Sequence, residues 1–313
     1  MKIVFMGTTN FSVPILAGLQ KYHDIVLVVT QPDRPYGRKQ ILKASPVKLY
    51  AVDNNIPIFQ PEKIKTDYQI VLDAQPDVII VAAFGQMIPK ILLDYPQYRC
   101  INVHASLLPK YRGGSPMHTA IKNGDLKTGV TIMLMAPKMD AGAILSQSEL
   151  LIDDSDNVGT IESKLASLGR DLLLDTLIKL MNNEIFPQEQ DESKVTFAYT
   201  IKPSEERLDF CQTAKQIYNH VRAFYPWPIA HIYVDGQIIK IHQVTMTEKM
   251  RDIDASVECG TVVGIMKGEV YIKVKDGIII LKIVQPEGRQ AMDIKSFMNG
   301  SGNNVFCVGK LLK

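Results

Sequence analysis

A doubly wound α/β domain with a mostly parallel sheet, followed by a small β-barrel, is the fold class that the sequence predicts. The first observation is a pair of continuous apolar runs, IVLVVT at 25–30 and DVIIVAAF at 77–84. Runs of this kind suit strands buried on both faces, and here they alternate with segments of helical spacing. The second is a change of texture from about residue 204, where short β-rich runs are separated by Asp-Gly turns. The third is size: 313 residues with 46% hydrophobic content suffice for two buried cores.

Taken in order, residues 2–6 (KIVFM) form a first strand that ends at Gly7. Val13, Ile15, Leu16 and Leu19 then recur with helical spacing, and the strand at 25–30 follows. Ser45-Pro46 predicts a helix start within 42–54, with Ser45 as cap and Pro46 at the first helical position. TDYQIVLDAQ has helical spacing before the strand at 77–84. The turn after the first strand, GTTNFS, has one glycine where a dinucleotide fingerprint needs three, which argues against a nicotinamide dehydrogenase. In 153–184, a turn cluster precedes a helix with Ile161, Leu165, Leu168, Leu172 and Leu173 on one face. PQEQDESKVTFA reads as a polar surface link, so the first domain is set at 1–188, a linker at 189–206 and a second domain at 207–313. In the latter, TAKQIYNHVRAF is helical, and Asp235-Gly236 joins IAHIYV to QIIKIHQV as a hairpin. GTVVGI, EVYIKV and IIILKIV complete the strands of a small barrel.

Composition narrows the function. The net charge of +2 leaves nucleic-acid binding to a local patch. Such a patch occurs at 31–48, where Arg34, Arg38, Lys39, Lys43 and Lys48 are opposed within the segment only by Asp33. Four widely spaced cysteines form no CxxC pair, which argues against a zinc site or a disulfide framework. No apolar run approaches the ~18 residues of a membrane span, so a cytoplasmic protein without membrane or metal partners is expected.

The chemistry concentrates in 101–142. Asn102 and His104 alternate with Ile101 and Val103, so an amide and an imidazole share one face of a strand. Asp140 closes the apolar run VTIMLM and precedes Ala141-Gly142, a tight strand exit. Together these residues could steady an oxyanion through Asn102 and manage a proton through His104 and Asp140.

The pattern Asn-x-His-x-Ser-Leu-Leu-Pro-x-Tyr-Arg-Gly at 102–113, followed by Asp-x-Gly at 140–142, resembles the formyltetrahydrofolate-dependent formyltransferases. The resemblance runs over essentially the whole chain. It implies a Rossmann-like first domain and an OB-like barrel, with Asn102, His104 and Asp140 catalytic. It assigns Ser106, Leu107, Leu108 and Pro109, with Gln86, Met87 and Ile88, to a 10-formyltetrahydrofolate cosubstrate. The basic segment resembles the insertion with which family members acting on tRNA grip the acceptor arm, so Arg34, Arg38, Lys39 and Lys43 are assigned to tRNA. The implied reaction is formylation of the α-amino group of methionyl-initiator tRNA by a monomer, in support of translation initiation. Relatives that hydrolyse the folate or formylate a nucleotide-linked amino sugar share the trio, and the basic segment is what separates this chain from them. Basic residues along the barrel, among them Lys240, Lys273 and Arg289, suit contact with the tRNA backbone. Two departures from the family pattern stand out: Thr9-Asn10 in place of Pro-Asp, and Ile229 in place of glycine.

Overall fold

The computed structural model describes residues 1–36, 41–247 and 256–312, which fall into two compact units. The first comprises Met1–Pro116, Lys127–Leu151 and Glu162–Tyr199; the second comprises Met117–Leu126, Ile152–Ile161 and Thr200–Lys313. The stretch 189–206, expected as a linker, is therefore divided, with 189–199 packed into the first unit.

In the first unit, β1 (Lys2–Gly7), α1 (Ser12–Gln20) and β2 (Asp24–Val29) realise the expected βαβ start, with Ile15, Leu16 and Leu19 buried. A two-stranded antiparallel ribbon follows, β3 (Arg34–Tyr36) paired with β4 (Ile41–Lys43). Next come α2 (Pro46–Asp53), β5 (Ile58–Phe59), α3 (Gln69–Asp73), β6 (Val78–Ala82), α4 (Lys90–Asp94) and β7 (Cys100–His104). The short helix α5 (Pro116–Lys122) falls in the second unit but for its first residue; β8 (Lys127–Leu134) and β9 (Ile144–Leu151) belong to the first, and the long helix α6 (Val158–Met181) belongs to it from Glu162 onward.

These strands make one seven-stranded sheet of order β5-β2-β1-β6-β7-β8-β9. It is parallel from β5 to β7 and antiparallel at β8 and β9. β1, β6 and β7 are buried nearly throughout, as their unbroken apolar runs require. α6 lies close behind the sheet: a Cβ on Gly169 would meet the Val103 side chain at 3.0 Å. The loops after β1, β2, β6 and β7 all leave from the carboxyl edge, where α/β sheets bind ligands.

Helix α2 begins as expected. Pro46 occupies the first turn, and the Ser45 hydroxyl accepts a hydrogen bond from Lys48 N at 3.0 Å while sharing a 2.7 Å hydrogen bond with the buried Thr30 hydroxyl. Ser45→Ala removes the cap and strands the Thr30 hydroxyl, so a loss of about 2 kcal/mol is expected. Urea unfolding reads this as a lowered midpoint at constant slope; an unmoved midpoint would show the cap to be idle.

In the second unit, α7 (Ala214–Ala223) opens with a capping box between Thr213 and Gln216. The strands are β10 (His231–Val234), β11 (Gln237–Thr247), β12 (Val262–Met266), β13 (Glu269–Lys273), β14 (Ile278–Pro286) and β15 (Met292–Asp293). They form an antiparallel sheet of order β10-β11-β14-β13-β12, with β15 added against β14. The Asp235-Gly236 hairpin is present, with φ of 52° and 80° at its two central residues. Ile229, standing where the family pattern has glycine, takes φ 80°, a conformation that a β-branched residue rarely adopts.

Candidate active site

Strand β7 carries Asn102 and His104 two residues apart on one face, 8% and 6% exposed. The Asn102 carboxamide has no hydrogen-bond partner among the described residues, so its N–H groups are left for a ligand. The His104 Nε2 lies 3.0 Å from the Tyr111 carbonyl oxygen. A carbonyl only accepts, so Nε2 bears a proton and the other nitrogen is the one that exchanges. That nitrogen, Nδ1, is 3.8 Å from the Asp140 Oδ2. The distance is an electrostatic contact, too long for a hydrogen bond.

Asp140 does not close a strand, as the apolar run had suggested. β8 ends at Leu134, and the chain loops back over 135–143, closed by Leu134 N donating to Ala143 O at 2.9 Å. Asp140 sits in that loop with φ 47°. Its Oδ2 accepts from Gly113 N at 2.8 Å, which fixes the carboxylate that faces His104.

The tripeptide Tyr111-Arg112-Gly113 thus holds both titratable members of the trio. It is itself held by the segment after α6: Tyr111 N donates to the Thr196 hydroxyl (2.9 Å), Arg112 N to Thr196 O (2.9 Å), and Ala198 N to Arg112 O (2.8 Å). Gly113 has φ 123°, and a Cβ there would lie 2.5 Å from Ala198 O, so glycine is required on both counts. Arg112 is fully buried; its Nη2 reaches Glu192 Oε1 at 2.7 Å. Arg112 and Lys138, both paired with Glu192, hold its carboxyl below the usual carboxylate range. The motif at 102–113 contains Tyr111, Arg112 and Gly113, but only the folded chain shows that they hold His104 and Asp140. No sequence signal marks residues 190 and 196, which lie in the polar stretch PQEQDESKVTFA.

The residues assigned to folate form two groups. Ser106 donates to Lys110 O at 2.7 Å, and Leu108 N donates to the Thr131 hydroxyl at 3.0 Å. Leu107 covers Gly129, where a Cβ would lie 2.5 Å from its side chain, and Pro109 O accepts from Thr196 N at 3.3 Å. This loop is therefore rigidly built directly beyond His104. In the turn after β6, Gln86 is bound to Ile64 N (2.8 Å) and Pro61 O (3.0 Å), Ile88 is in the core, and Met87 is 61% exposed. No backbone group of Gln86, Met87 or Ile88 is hydrogen-bonded among the described residues.

Of the residues assigned to tRNA, Arg38 and Lys39 lie outside the described residues. Arg34 and Lys43 face each other in register on the ribbon. Arg34 pairs with Glu62 at 2.9 Å, and Asp33 with Lys48 at 2.6 Å, so part of the segment's charge is already compensated. The lysine partner, with help from Gln60, holds the Asp33 carboxyl below its ordinary range. No group of three or more His, Cys, Asp or Glu side chains among the described residues is arranged to hold a metal, and no described helix is long and apolar enough to cross a membrane.

Residues 1–177 match the formyl transferase family, and residues 200–302 match the formyl transferase C-terminal domain. A methionyl-tRNA formyltransferase of Levilactobacillus brevis is 48% identical over 303 residues, covering 96% of this chain and 95% of that one. Another, from Streptococcus agalactiae, is 46% identical over 308 residues, covering 97% of each. An N-formyltransferase structure from Helicobacter canadensis, in complex with folinic acid and dTDP-3-aminofucose, superposes with a TM-score of 0.65 at 21% identity, covering 93% of this chain and 100% of that one. That likeness is one of fold.

Proposed function

The chain belongs to the formyl transferase family, and from that premise we propose that it transfers a formyl group from 10-formyltetrahydrofolate to the α-amino group of methionyl-tRNA, in the cytoplasm and as a monomer, supporting translation initiation. The observation that carries the reading is the near full-length likeness to methionyl-tRNA formyltransferases, together with the polar trio in which the 135–143 loop brings Asp140 to the face of β7 that carries Asn102 and His104.

The chemistry follows from the arrangement. The free α-amine attacks the formyl carbon; a tetrahedral intermediate forms, and its collapse breaks the bond from carbon to the folate nitrogen. Charge develops on the formyl oxygen, and a pre-placed donor there is worth ~100- to 1,000-fold in rate. Asn102, whose amide has no partner among the described residues, is that donor. One proton must leave the amine and one must reach the folate nitrogen. His104 handles it at Nδ1, since Nε2 is committed to Tyr111 O. The Asp140 carboxylate stabilises positive charge as it develops on the ring. The loop Ser106, Leu107, Leu108 and Pro109, with the turn at Gln86, Met87 and Ile88, binds the folate through backbone groups and apolar surface. The decisive assay supplies 10-formyltetrahydrofolate with methionyl-tRNA or with water alone. Formylated tRNA is expected; folate release without it would overturn the reading.

Arg34, Arg38, Lys39 and Lys43 are proposed to contact tRNA phosphates. Affinity for tRNA is then expected to fall steeply with salt, and Arg38→Ala and Lys39→Ala each to flatten that slope by about one unit, with folate KM unchanged. An unaltered tRNA KM and salt slope in both variants would reduce the segment to solvated surface.

A further inference from the structure

We infer that Gln190 is a positioning residue for the transfer reaction: its carboxamide clamps the turn that carries Asp140, and so sets where the Asp140 carboxylate stands against His104. The inference rests on the reading of the trio given above.

Gln190 lies 50 residues beyond Asp140 and is 9% exposed. Its Nε2 donates to Asp140 O and to Gly142 O, both at 2.8 Å, thereby bridging the two ends of the turn. Its Oε1 accepts from Arg112 Nε at 3.1 Å and from Arg112 Nη2 at 2.9 Å. Both N–H groups and both lone pairs of the amide are in use, so its orientation is fixed. Flipping it would set oxygen against two carbonyls and N–H groups against a guanidinium.

The clamp matters because of what the turn must hold. Asp140 has φ 47°, which side chains other than glycine adopt rarely, and its oxygen reaches His104 across 3.8 Å without a hydrogen bond. Nothing in that contact fixes its own length. The carboxylate is located by Gly113 N on one side and, through its backbone, by Gln190 on the other. Both supports return to one place. Arg112, buried and held against Gln190 and Glu192, precedes Gly113 and follows Tyr111, whose carbonyl fixes the His104 ring. Gln190 therefore ties the Asp140 turn to that tripeptide, while the tripeptide, and with it His104, stays held by Thr196 and Ala198 when the clamp is lost.

The test is Gln190→Glu, which keeps length and keeps an acceptor for Arg112, but aims an oxygen at the two turn carbonyls. Gln190→Met, of similar length and without an amide, guards against an effect peculiar to the new charge. In each variant, kcat is expected to fall roughly 10- to 100-fold, since displacement of a catalytic group by about 1 Å costs this much. KM for folate and tRNA is expected to stay within about twofold. In an Asp140→Asn background the same substitutions are expected to cost less than about threefold, because their effect passes through Asp140. Independently of any substrate, the Gly113 amide proton, which reports its hydrogen bond to Asp140, is expected to move upfield. A Gly113 resonance that stays in place, or losses that simply multiply with Asp140→Asn, would overturn the clamp. A wild-type protein that leaves methionyl-tRNA unformylated would instead fail the reading of the reaction, and the amide resonance would still judge the clamp.

Discussion

Asp140→Asn is expected to lower turnover at least ~100-fold while leaving the fold intact. The substitution is matched to the site. Asparagine tolerates φ 47°, and its carbonyl oxygen can still accept from Gly113 N, so only the charge is removed. Two unit charges about 4 Å apart attract by ~4 kcal/mol at an effective dielectric of ~20. At ~1.4 kcal/mol per factor of ten, that sets a ceiling near three decades on what the charge can supply. His104→Ala and Asn102→Ala are expected to cost ~100-fold or more each, and the double variant little beyond the worse single one, because the groups serve one transition state. Single-turnover formylation with saturating methionyl-tRNA measures the chemical step, and thermal unfolding supplies the control, with midpoints expected within about 3 °C of wild type. A variant with near-normal turnover would remove that residue from the mechanism.

Gly142→Ala is expected to be the most damaging small substitution for stability. Gly142 has no left-handed φ; it is required by proximity. A Cβ there would lie 1.9 Å from Leu134 O and 2.9 Å from Leu134 C, both backbone atoms of the strand that the loop closes against. Flexible side chains can yield to such a contact, but hydrogen-bonded backbone cannot. The loop must therefore open where Leu134 N bonds Ala143 O, and where Gln190 bonds Gly142 O. Overpacking of this kind costs about 3 kcal/mol or more, so a large fall in the denaturation midpoint is expected, with lost turnover as Asp140 moves. Wild-type stability and turnover together would show that the loop has slack which these distances deny.

Local pattern determined much of this protein. The βαβ start, the buried central strands, the Ser45-Pro46 helix entry and the Asp235-Gly236 hairpin follow from periodicity and turn chemistry, which act over a few residues. Asn102 and His104 share a face for the same reason, since alternation along a strand is a covalent property of the chain. Tertiary structure decided the rest. The basic segment 31–48 carries a ribbon whose Arg34 and Lys43 are brought face to face, and Glu62, from outside it, takes up one of its charges. Asp140 reaches His104 from a loop, not from the end of a strand, and a positive φ aims it there. Gln190 had the composition of surface, yet became buried because the unpaired carbonyls of a tight turn and a buried guanidinium both needed partners that only a distant segment could bring. Hydrogen-bond satisfaction in the interior is a demand of the assembled fold, and no window of neighbouring residues encodes which remote side chain will meet it.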